Sequence, residues 1–565
     1  MFYYSKRKNH YIQRIFVISI LLIWVGIKPN AIIAQTFSSD ILKNIFRNGQ
    51  LNGTFNKDYS YTVSMNQVSM HELDSVLGIS NSIHLKIPAK KPFATIDFLP
   101  ITIRQQYNTA LPYDWNNGPM IPAKGYQSVL SAGIYAKLGK HITIQIMPEI
   151  AYAENKPFEQ LSQQLGDRAW ADYYRFLNTS DIPSQFGAEP YRKIFPGQSS
   201  IRYNFRSFSA GISTESMWWG PGWRNSLVMS TNAPGFIHFT FNTTRPIQTS
   251  IGSFEGQVIG GKLEESNILP PRIYSYYNGS FLYQPKNNEW RYMTGMVVSW
   301  RPKWVHNLFL GISKASYLYH SDITNPLDVL PVQGFLGGAI TAAEKTGKKS
   351  SMGSVFARYL LTGDHAEVYM EFGRKDLSLM PWNIIQTDSY RRAYVAGIRK
   401  LFPTKQKDAY IQLVTEFTQM EAPTADLIRS PDSWYTDLYV RQGYTNQGRV
   451  IGAGIGPGSN SQTLEISWVK GLKKIGLQFE RVRYNSDFYY YAFEYIHDFR
   501  RHWIDLSTTL KVDWNYKRFF ASGQFGIIRS FNYKWLIIQV DPNNFFAPGN
   551  EFLNLSGGLS MSYRF

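Results

Sequence analysis

Hydrophobic and polar residues alternate strictly along several segments in the C-terminal part of the chain. In residues 553–565 (LNLSGGLSMSYRF), one face is mainly Leu, Met, Tyr and Phe, while the other is Asn, Ser, Gly and Arg. A period of two residues predicts β-strands with one apolar face. Residues 504–514 and 519–527 repeat the pattern on either side of a short turn at 515–518, which predicts a β-hairpin.

The placement of tryptophan favours a membrane-spanning strand over a strand of a soluble sandwich. Residues 290–300 put Trp290 and Trp300 at the two ends of a face whose centre is apolar, and the opposite face carries Glu289 and Arg291. This span matches a tilted transmembrane strand of about 9–11 residues with an aromatic girdle at each interface. Because lipid offers no hydrogen-bond partner to a free sheet edge, such a sheet must close into a barrel. The alternative, a secreted soluble β protein, predicts shorter strands without paired girdles.

Further hairpins at 355–372 and 464–479 have short turns on one side and long segments rich in Gly and Pro on the other. This arrangement is typical of outer-membrane barrels, so the sequence predicts an all-β, transmembrane antiparallel β-barrel. Residues 93–565, at roughly 26 residues for each strand and its connection, correspond to about 18 strands. The predicted lumen-facing side chains carry both signs of charge, which favours a barrel plugged or capped by small helical segments over an open porin. Those helical segments are predicted at 41–46, 71–78 and 157–178.

The N-terminus predicts export. Four basic residues precede an apolar run at 15–27 that is too short to span a bilayer, and Ala34 follows a break at Lys28 and Pro29. This pattern is typical of a secretory signal peptide cleaved near Ala34, with an uncleaved anchor as the alternative. The mature protein is therefore predicted in the outer membrane of a Gram-negative bacterium. The predicted domains are a signal peptide at 1–34, an N-terminal periplasmic or cap segment at 35–92, and the barrel at 93–565.

Composition agrees with a large β protein and limits its chemistry. The 565 residues are 16% aromatic and include no cysteine, which excludes disulfides, thiolate metal sites and cysteine nucleophiles. The formal charge is +18, and removal of the signal peptide leaves about +13. Such a charge attracts polyanions, which in this compartment are acidic capsular polysaccharide or exopolysaccharide and the phosphates of lipopolysaccharide. The location excludes nucleic acid as a partner.

Residues 216–227 (SMWWGPGWRNSL) place three tryptophans around a Gly-Pro-Gly turn. Flat indole rings stack on sugar rings, and the guanidinium of Arg224 pairs well with a uronate. The alternative is that the tryptophans belong to the girdles and the glycines only shape a tight turn. The predicted polysaccharide-binding residues are aromatic and basic residues of long loops: Trp115, Trp218, Trp219, Trp223, Arg224, Trp434 and Arg441.

The sequence offers little for catalysis. It has no His-Glu-x-x-His and no Gly-x-Ser-x-Gly motif, and its ten histidines are scattered. An Asp-Trp-Asn-Asn-Gly turn at 114–118 has the residue types of a calcium loop, but a solvated turn is the simpler interpretation. We therefore predict no catalytic residue, no metal and no cofactor.

The Trp-Trp-Gly-Pro-Gly core, the Ser-Leu that follows it and the Ser-x-Asn-Ala-x-Gly at 230–235 resemble the Wzi family of capsule assembly proteins. Segments 104–107, 114–118 and 252–256 are similar to further landmarks of that family. The resemblance covers roughly residues 90–565. It implies a monomeric outer-membrane barrel, closed by helices and loops, that acts as a lectin and holds capsular polysaccharide at the cell surface. The alternatives are a porin-like channel for anionic solutes or oligosaccharides, and an outer-membrane enzyme.

Overall fold

The computed structural model describes most of the chain after residue 38. The predicted signal peptide and the helical segment predicted at 71–78 lie outside the described residues. The described ranges are 39–55, 58–63, 85–86, 94–161, 166–271, 275–331, 343, 346–376, 392–406, 408–422, 433–493, 502–535 and 551–565.

Within these residues, 18 antiparallel strands form one closed barrel, which confirms the predicted fold class. Each strand pairs with the next along the chain, as in a continuous series of hairpins. In chain order the strands are β1 (Ala94–Asn108), β2 (Gly125–Leu138), β3 (Ile142–Ile146 and Glu149–Ala153), β4 (Tyr191–Phe195 and Ser200–Phe205), β5 (Phe208–Ser213), β6 (His238–Thr243 and Ile247–Thr249), β7 (Gly252–Leu263), β8 (Arg291–Pro302), β9 (Leu308–Tyr319), β10 (Lys349–Leu361), β11 (Ala366–Lys375), β12 (Arg392–Pro403), β13 (Ala409–Gln419), β14 (Asn460–Lys470), β15 (Lys473–Tyr484), β16 (Trp503–Tyr516), β17 (Phe519–Phe531) and β18 (Glu551–Tyr563).

The barrel closes where its last strand meets its first. The antiparallel register between β1 and β18 runs from Ile101 opposite Tyr563 to Asn108 opposite Ser556. On its other side β1 pairs with β2, with an irregularity between Leu99 and Thr102. Because of this closure, none of the described wall strands has a free edge in lipid.

The two ends of the barrel differ in the length of their connections. We call them the short-turn end, where for example Lys470 of β14 pairs directly with Lys473 of β15, and the long-loop end, where residues 420–459 join β13 to β14. β1 begins and β18 ends at the short-turn end. Short turns of outer-membrane barrels are periplasmic, so we expect the long-loop end to face the outside of the cell.

Side chains along the wall alternate between an apolar outer face and a lumen face. In β16, Leu506, Leu510 and Trp514 are more than 40% exposed, while Ser507 and Thr509 between them are buried inside the barrel. This pattern confirms the period-two prediction for the 504–527 hairpin. An apolar outer face is stable only when lipid covers it. Among the described residues, no helix combines the length and the hydropathy needed to cross a bilayer.

In the part of the chain that the structure describes, the sheet is accompanied by the α-helices α1 (Ser39–Leu51), α2 (Asp167–Leu177) and α3 (Ser486–Phe493). α1 lies in the lumen at the short-turn end, where Leu51 O accepts a hydrogen bond from His365 Nδ1 at 2.9 Å. α2 and α3 lie at the long-loop end, where Tyr173 and Phe488 join a buried aromatic cluster.

The helix predicted at 157–178 is confirmed only in its second part. Residues 157–160 are not helical, and α2 begins at Asp167 after Gly166. Glycine has low helix propensity, and an acidic residue in the first turn favours a helix N-terminus, so the start at Asp167 has a local cause. Ala169 and Tyr173 of this helix are buried.

Candidate functional site

The lumen of the barrel contains a compact assembly that we call the lumen plug. It consists of α1, residues 214–237 between β5 and β6, and residues 433–459 between β13 and β14. Its largest side chains are fully buried: Trp219 and Trp434 have no measurable exposure. They belong to a single hydrophobic cluster that includes side chains of the barrel wall. The lumen is therefore filled, as the mixed charge of its predicted lining indicated.

A glycine of the wall makes room for the central tryptophan. A Cβ atom at Gly295 of β8 would lie only 2.8 Å from Cη2 of Trp219, so the indole ring packs directly against the strand backbone. The indole Nε1 donates a hydrogen bond of 3.0 Å to Oε1 of Gln257 on β7. Trp219 is thus fixed by both shape and a polar contact, which are the two demands of a buried indole.

The Gly-Pro-Gly turn of the plug wraps around a carboxylate of the wall. Glu416 of β13 accepts hydrogen bonds from the backbone N–H groups of Trp223, Arg224 and Asn225, the last at 2.8 Å, and from the Tyr369 hydroxyl at 3.0 Å. A Cβ atom at Gly222 would lie 1.8 Å from the carbonyl oxygen of Asn225. Glycine is therefore required there, because the backbone must fold tightly for all three donors to point at one carboxylate.

Arg224 is engaged by the wall as well. Its Nε and Nη2 atoms donate to the two carboxylate oxygens of Glu480 on β15, at 2.8 and 2.9 Å. Its guanidinium lies over the indole ring of Trp115, 4.0 Å from the ring centroid. The bidentate contact that we predicted between Arg224 and a uronate is thus formed with Glu480 of the protein itself.

α1 connects the turn to the short-turn end of the wall. Lys43 Nζ donates to Gly222 O at 2.5 Å, and Arg47 Nη1 donates to Pro221 O at 2.7 Å. Arg47 also forms an ion pair of 2.6 Å with Glu367 of β11. We call this Glu367 and its arginine partners the Glu367 cluster: Arg47 of α1, Arg358 of β10 at 2.5 Å and Arg399 of β12 at 3.1 Å, all with fully buried side chains.

The structure places all seven predicted polysaccharide-binding residues in or against the plug. Trp115, Trp218, Trp219, Trp223 and Trp434 are each less than a tenth exposed, and the Arg224 side chain is 14% exposed. Arg441 differs from the other six because its part of the 433–459 segment lies at the long-loop end, where it donates to the carbonyl oxygens of Gln284 at 2.7 Å and Pro285 at 3.0 Å. A contact of these residues with polysaccharide stays a prediction, and their observed contacts are within the protein.

Sequence reasoning missed the acidic residues that hold the plug, Glu367 and Glu416. A signal was present, because both are charged residues at inward positions, next to the exposed apolar side chains of Val368 and Phe417. A charged residue at an inward position predicts an ionic partner in the lumen. The identity of that partner is not encoded nearby, since Glu416 and Trp223 are 193 positions apart.

A cavity of about 430 Å³ lies at the long-loop end, between the connection from β3 to β4 and the connection from β7 to β8. Its polar lining includes Gln160, Asp181, Ser184, Gln185 and Lys286. Leu, Ile and Pro side chains supply the remainder of its wall. Its volume falls within the range of about 300–1,000 Å³ that is usual for small-molecule sites. We call it the outer cavity.

Two cations lie at the outer cavity. Lys286 Nζ donates to Ser180 O at 2.6 Å, and burial lowers the pKa of this lysine. Arg441 does not line the cavity itself, but it binds the carbonyl of Pro285, the residue before Lys286, and so lies beside the cavity at the same edge. Asp181, also in the lining, accepts hydrogen bonds from the backbone N–H and the hydroxyl of Ser266 at 2.7 and 2.6 Å. The outer cavity therefore combines hydrogen-bonding groups with a positive edge.

The turn at 114–118 is tied into the protein by protein contacts. Asp114 forms an ion pair with Arg449 of the plug and accepts a hydrogen bond from Asn117. In the part of the chain that the structure describes, no three His, Asp or Glu side chains are grouped in a way that would hold a metal ion.

Residues 117–528 match the family described as capsule assembly protein Wzi. The chain belongs to the Wzi family. Among solved structures, its fold is similar to Wzi of Escherichia coli, an outer membrane protein involved in group 1 capsule assembly and a carbohydrate-binding β-barrel. The TM-score is 0.55 at 11% identity, over 94% of this chain and 99% of that one. It is also similar to OccAB2 of Acinetobacter baumannii, with a TM-score of 0.42 at 9% identity over 84% and 98% of the two chains.

No curated protein sequence matches the chain. The resemblance to the Wzi family stated from the sequence is confirmed. This Wzi-family protein is a Gram-negative outer-membrane β-barrel with a role in capsule assembly.

Proposed function

We propose that this protein binds acidic capsular polysaccharide or exopolysaccharide at its outer face and holds it at the cell surface, as a non-catalytic, monomeric lectin. The observation that carries the proposal is the filled lumen. Because buried side chains of the plug and the wall occupy the interior, the outer face is left as the surface on which a large extracellular polymer can act. The carbohydrate-binding Wzi of Escherichia coli shares this fold, which supports the same class of ligand.

We propose the outer cavity as the contact site. A polysaccharide chain presents hydroxyl groups, which suit the amide and hydroxyl side chains of the lining, and uronate carboxylates, which suit Lys286 and Arg441. The burial that lowers the pKa of Lys286 disfavours its charged form, and a bound carboxylate would offset part of that cost. Of the predicted polysaccharide-binding residues, Arg441 is the one that this proposal assigns to the ligand.

The retention of polysaccharide on cells tests this function. A strain that lacks the protein is expected to shed several-fold more polysaccharide into the medium than the parent strain. Complementation with the Lys286→Gln, Arg441→Gln double variant is expected to leave shedding high, because both rim cations are removed. Uronic acid measured in the cell pellet and in the medium gives the ratio.

Lys156→Gln is the matched control for the rim variant. Lys156 is exposed at the same end of the barrel and pairs with Glu154 at 2.8 Å, outside the outer cavity. This variant is expected to restore retention. Equal retention with and without the protein would refute the lectin function, while equal effects of the rim and control variants would refute only the proposed site.

Conductance in a planar bilayer separates the lectin from the porin-like alternative. The unaltered protein is expected to insert without a steady, large conductance, because the plug fills the lumen with ion pairs and fully buried aromatic rings. A stable open level in the absence of denaturant would contradict the proposal and favour a diffusion channel for anionic solutes or oligosaccharides.

A further inference from the structure

Basic residues surround the barrel at its short-turn end. In the turns of this end, the acidic residues that the structure describes are Asp364 and Asp408, and the strand residues next to the turns add Asp97, Glu255, Glu367 and Asp513. We call ten basic residues of this end the basic ring: Lys140, Arg206, Arg245, Lys303, Lys400, Lys405, Lys470, Lys473, Lys517 and Arg518. Arg301 and Lys474 lie at the same end but form ion pairs with Asp58 and Glu465, and they are not included.

Members of the basic ring are held against exposed aromatic rings of the outer wall. Lys473 Nζ lies 4.2 Å from the ring centroid of Trp514, and Lys517 Nζ lies 5.3 Å from that of Tyr516. These two rings are 44% and 65% exposed on the lipid side of the barrel. Arg206 over Phe205, at 5.2 Å, and Lys400 over Phe402, at 5.7 Å, repeat the arrangement on other hairpins.

This arrangement fixes the depth of the cations. Exposed aromatic side chains at the end of a transmembrane strand lie at the level of the lipid headgroups. A cation within about 6 Å of such a ring is attracted to its face, so the ammonium and guanidinium groups stay at the same level. The basic ring therefore offers a belt of positive charge at the height of the phosphate groups.

Several exposed cations at the long-loop end have an acidic partner. Lys156 pairs with Glu154, Lys262 with Glu264, and Arg529 with Glu551. Arg192 and Lys193 of the same end lie instead over the rings of Tyr152 and Phe195.

Within the described residues, no member of the basic ring forms an ion pair, and Arg245, for example, donates to the hydroxyl of Ser207. Neutralisation by a neighbouring acid is thus found for several cations of the long-loop end and for no member of the basic ring.

We propose that the basic ring binds anionic phospholipid of the periplasmic leaflet. Short turns of an outer-membrane barrel face the periplasm, and the phosphate of a phosphatidylglycerol-type lipid is the anion at that depth. The net negative headgroup distinguishes this ligand from a zwitterionic phospholipid. Such binding would fix the depth of the barrel in the membrane independently of the polysaccharide site at the opposite end.

Native mass spectrometry of the full chain in detergent tests the proposal. Phosphatidylglycerol is expected to stay bound in preference to phosphatidylcholine with the same acyl chains. The triple variant Lys473→Gln, Lys517→Gln, Arg518→Gln removes one patch on two neighbouring hairpins, and it is expected to lower phosphatidylglycerol retention roughly tenfold or more. Retention of phosphatidylcholine should not change.

The matched control removes three cations from the other end: Lys156→Gln, Lys262→Gln, Arg529→Gln. It is expected to retain phosphatidylglycerol, and the triple variant of the basic ring is expected to bind purified lipopolysaccharide like the unaltered protein. Equal loss of phosphatidylglycerol in both variants, parallel loss of lipopolysaccharide, or no preference of the unaltered protein for phosphatidylglycerol would each overturn the proposal. For the unaltered protein, high salt should weaken phosphatidylglycerol retention, and insensitivity to salt would also overturn it.

Discussion

Replacement of Glu367 by alanine is expected to release α1 from the lumen and to turn the closed barrel into a conducting one. Glu367 is the carboxylate that Arg47, Arg358 and Arg399 share, and all four side chains are fully buried. Alanine would leave three buried guanidinium groups without their counter-ion. Removing one partner of a buried ion pair costs about 3–5 kcal/mol, and here the loss falls on the contact between the helix and the wall.

The position of α1 can be followed directly because the chain contains no cysteine. Ile45→Cys places a single thiol on α1, and a membrane-impermeant maleimide reports its accessibility. In the Glu367→Ala background the thiol is expected to react faster than in the parent, and single-channel recording is expected to show open events. The loss of resistance to heat and detergent, seen as a change in gel mobility, measures the accompanying loss of stability.

Glu465→Ala provides the control for this variant. Glu465 is a buried carboxylate of the wall too, but its partners are Lys474 at 2.5 Å and Lys511 at 3.2 Å, which also belong to the wall. Its loss should destabilise the barrel without exposing position 45. If Glu367→Ala leaves both labelling and conductance unchanged, the Glu367 cluster does not hold α1 in the lumen.

The wall of the barrel could be predicted from the sequence because lipid imposes a rule on every second residue. Leu506, Leu510 and Trp514 must be apolar since they face the membrane, and that requirement is visible in the sequence without knowledge of any partner strand. The same rule predicted the hairpins, while the strand number followed from the length of the chain and the two unequal ends from the lengths of the connections. It says nothing about what an inward-facing residue contacts.

For that reason the sequence predicted that the lumen is filled, from its mixed charge, but not which segments fill it or what they contact. The position of Glu416 does not show its partner, because Trp223 is distant in the sequence. The tryptophans are ambiguous in the same way. An indole ring suits a membrane girdle, a sugar-binding platform and a buried core, and only the burial of Trp219 distinguishes these environments.

Glu416 is the second residue whose loss should have a large effect, and Glu416→Ala is expected to detach the Gly-Pro-Gly turn from the wall. The backbone N–H groups of Trp223, Arg224 and Asn225 would lose their acceptor inside a buried cluster. Each buried donor left without a partner costs about 1–3 kcal/mol. Lys43 and Arg47 of α1 bind carbonyl groups of the same turn. When the turn detaches, we therefore expect α1 to be bound less tightly in the lumen.

Two variants separate the acceptor role of Glu416 from simple loss of a buried acid. Glu416→Gln keeps one carbonyl oxygen but turns an amide N–H₂ toward the donors, so it is expected to lose less thermal stability than alanine without matching the parent. Glu421→Ala removes an acid beyond the end of β13 that pairs with Arg483, away from the turn, and should not expose position 45 to maleimide. If position 45 is labelled at the parental rate in Glu416→Ala, the carboxylate and the contacts of α1 with the turn are not needed to keep the plug in place. The turn would then be held by packing alone.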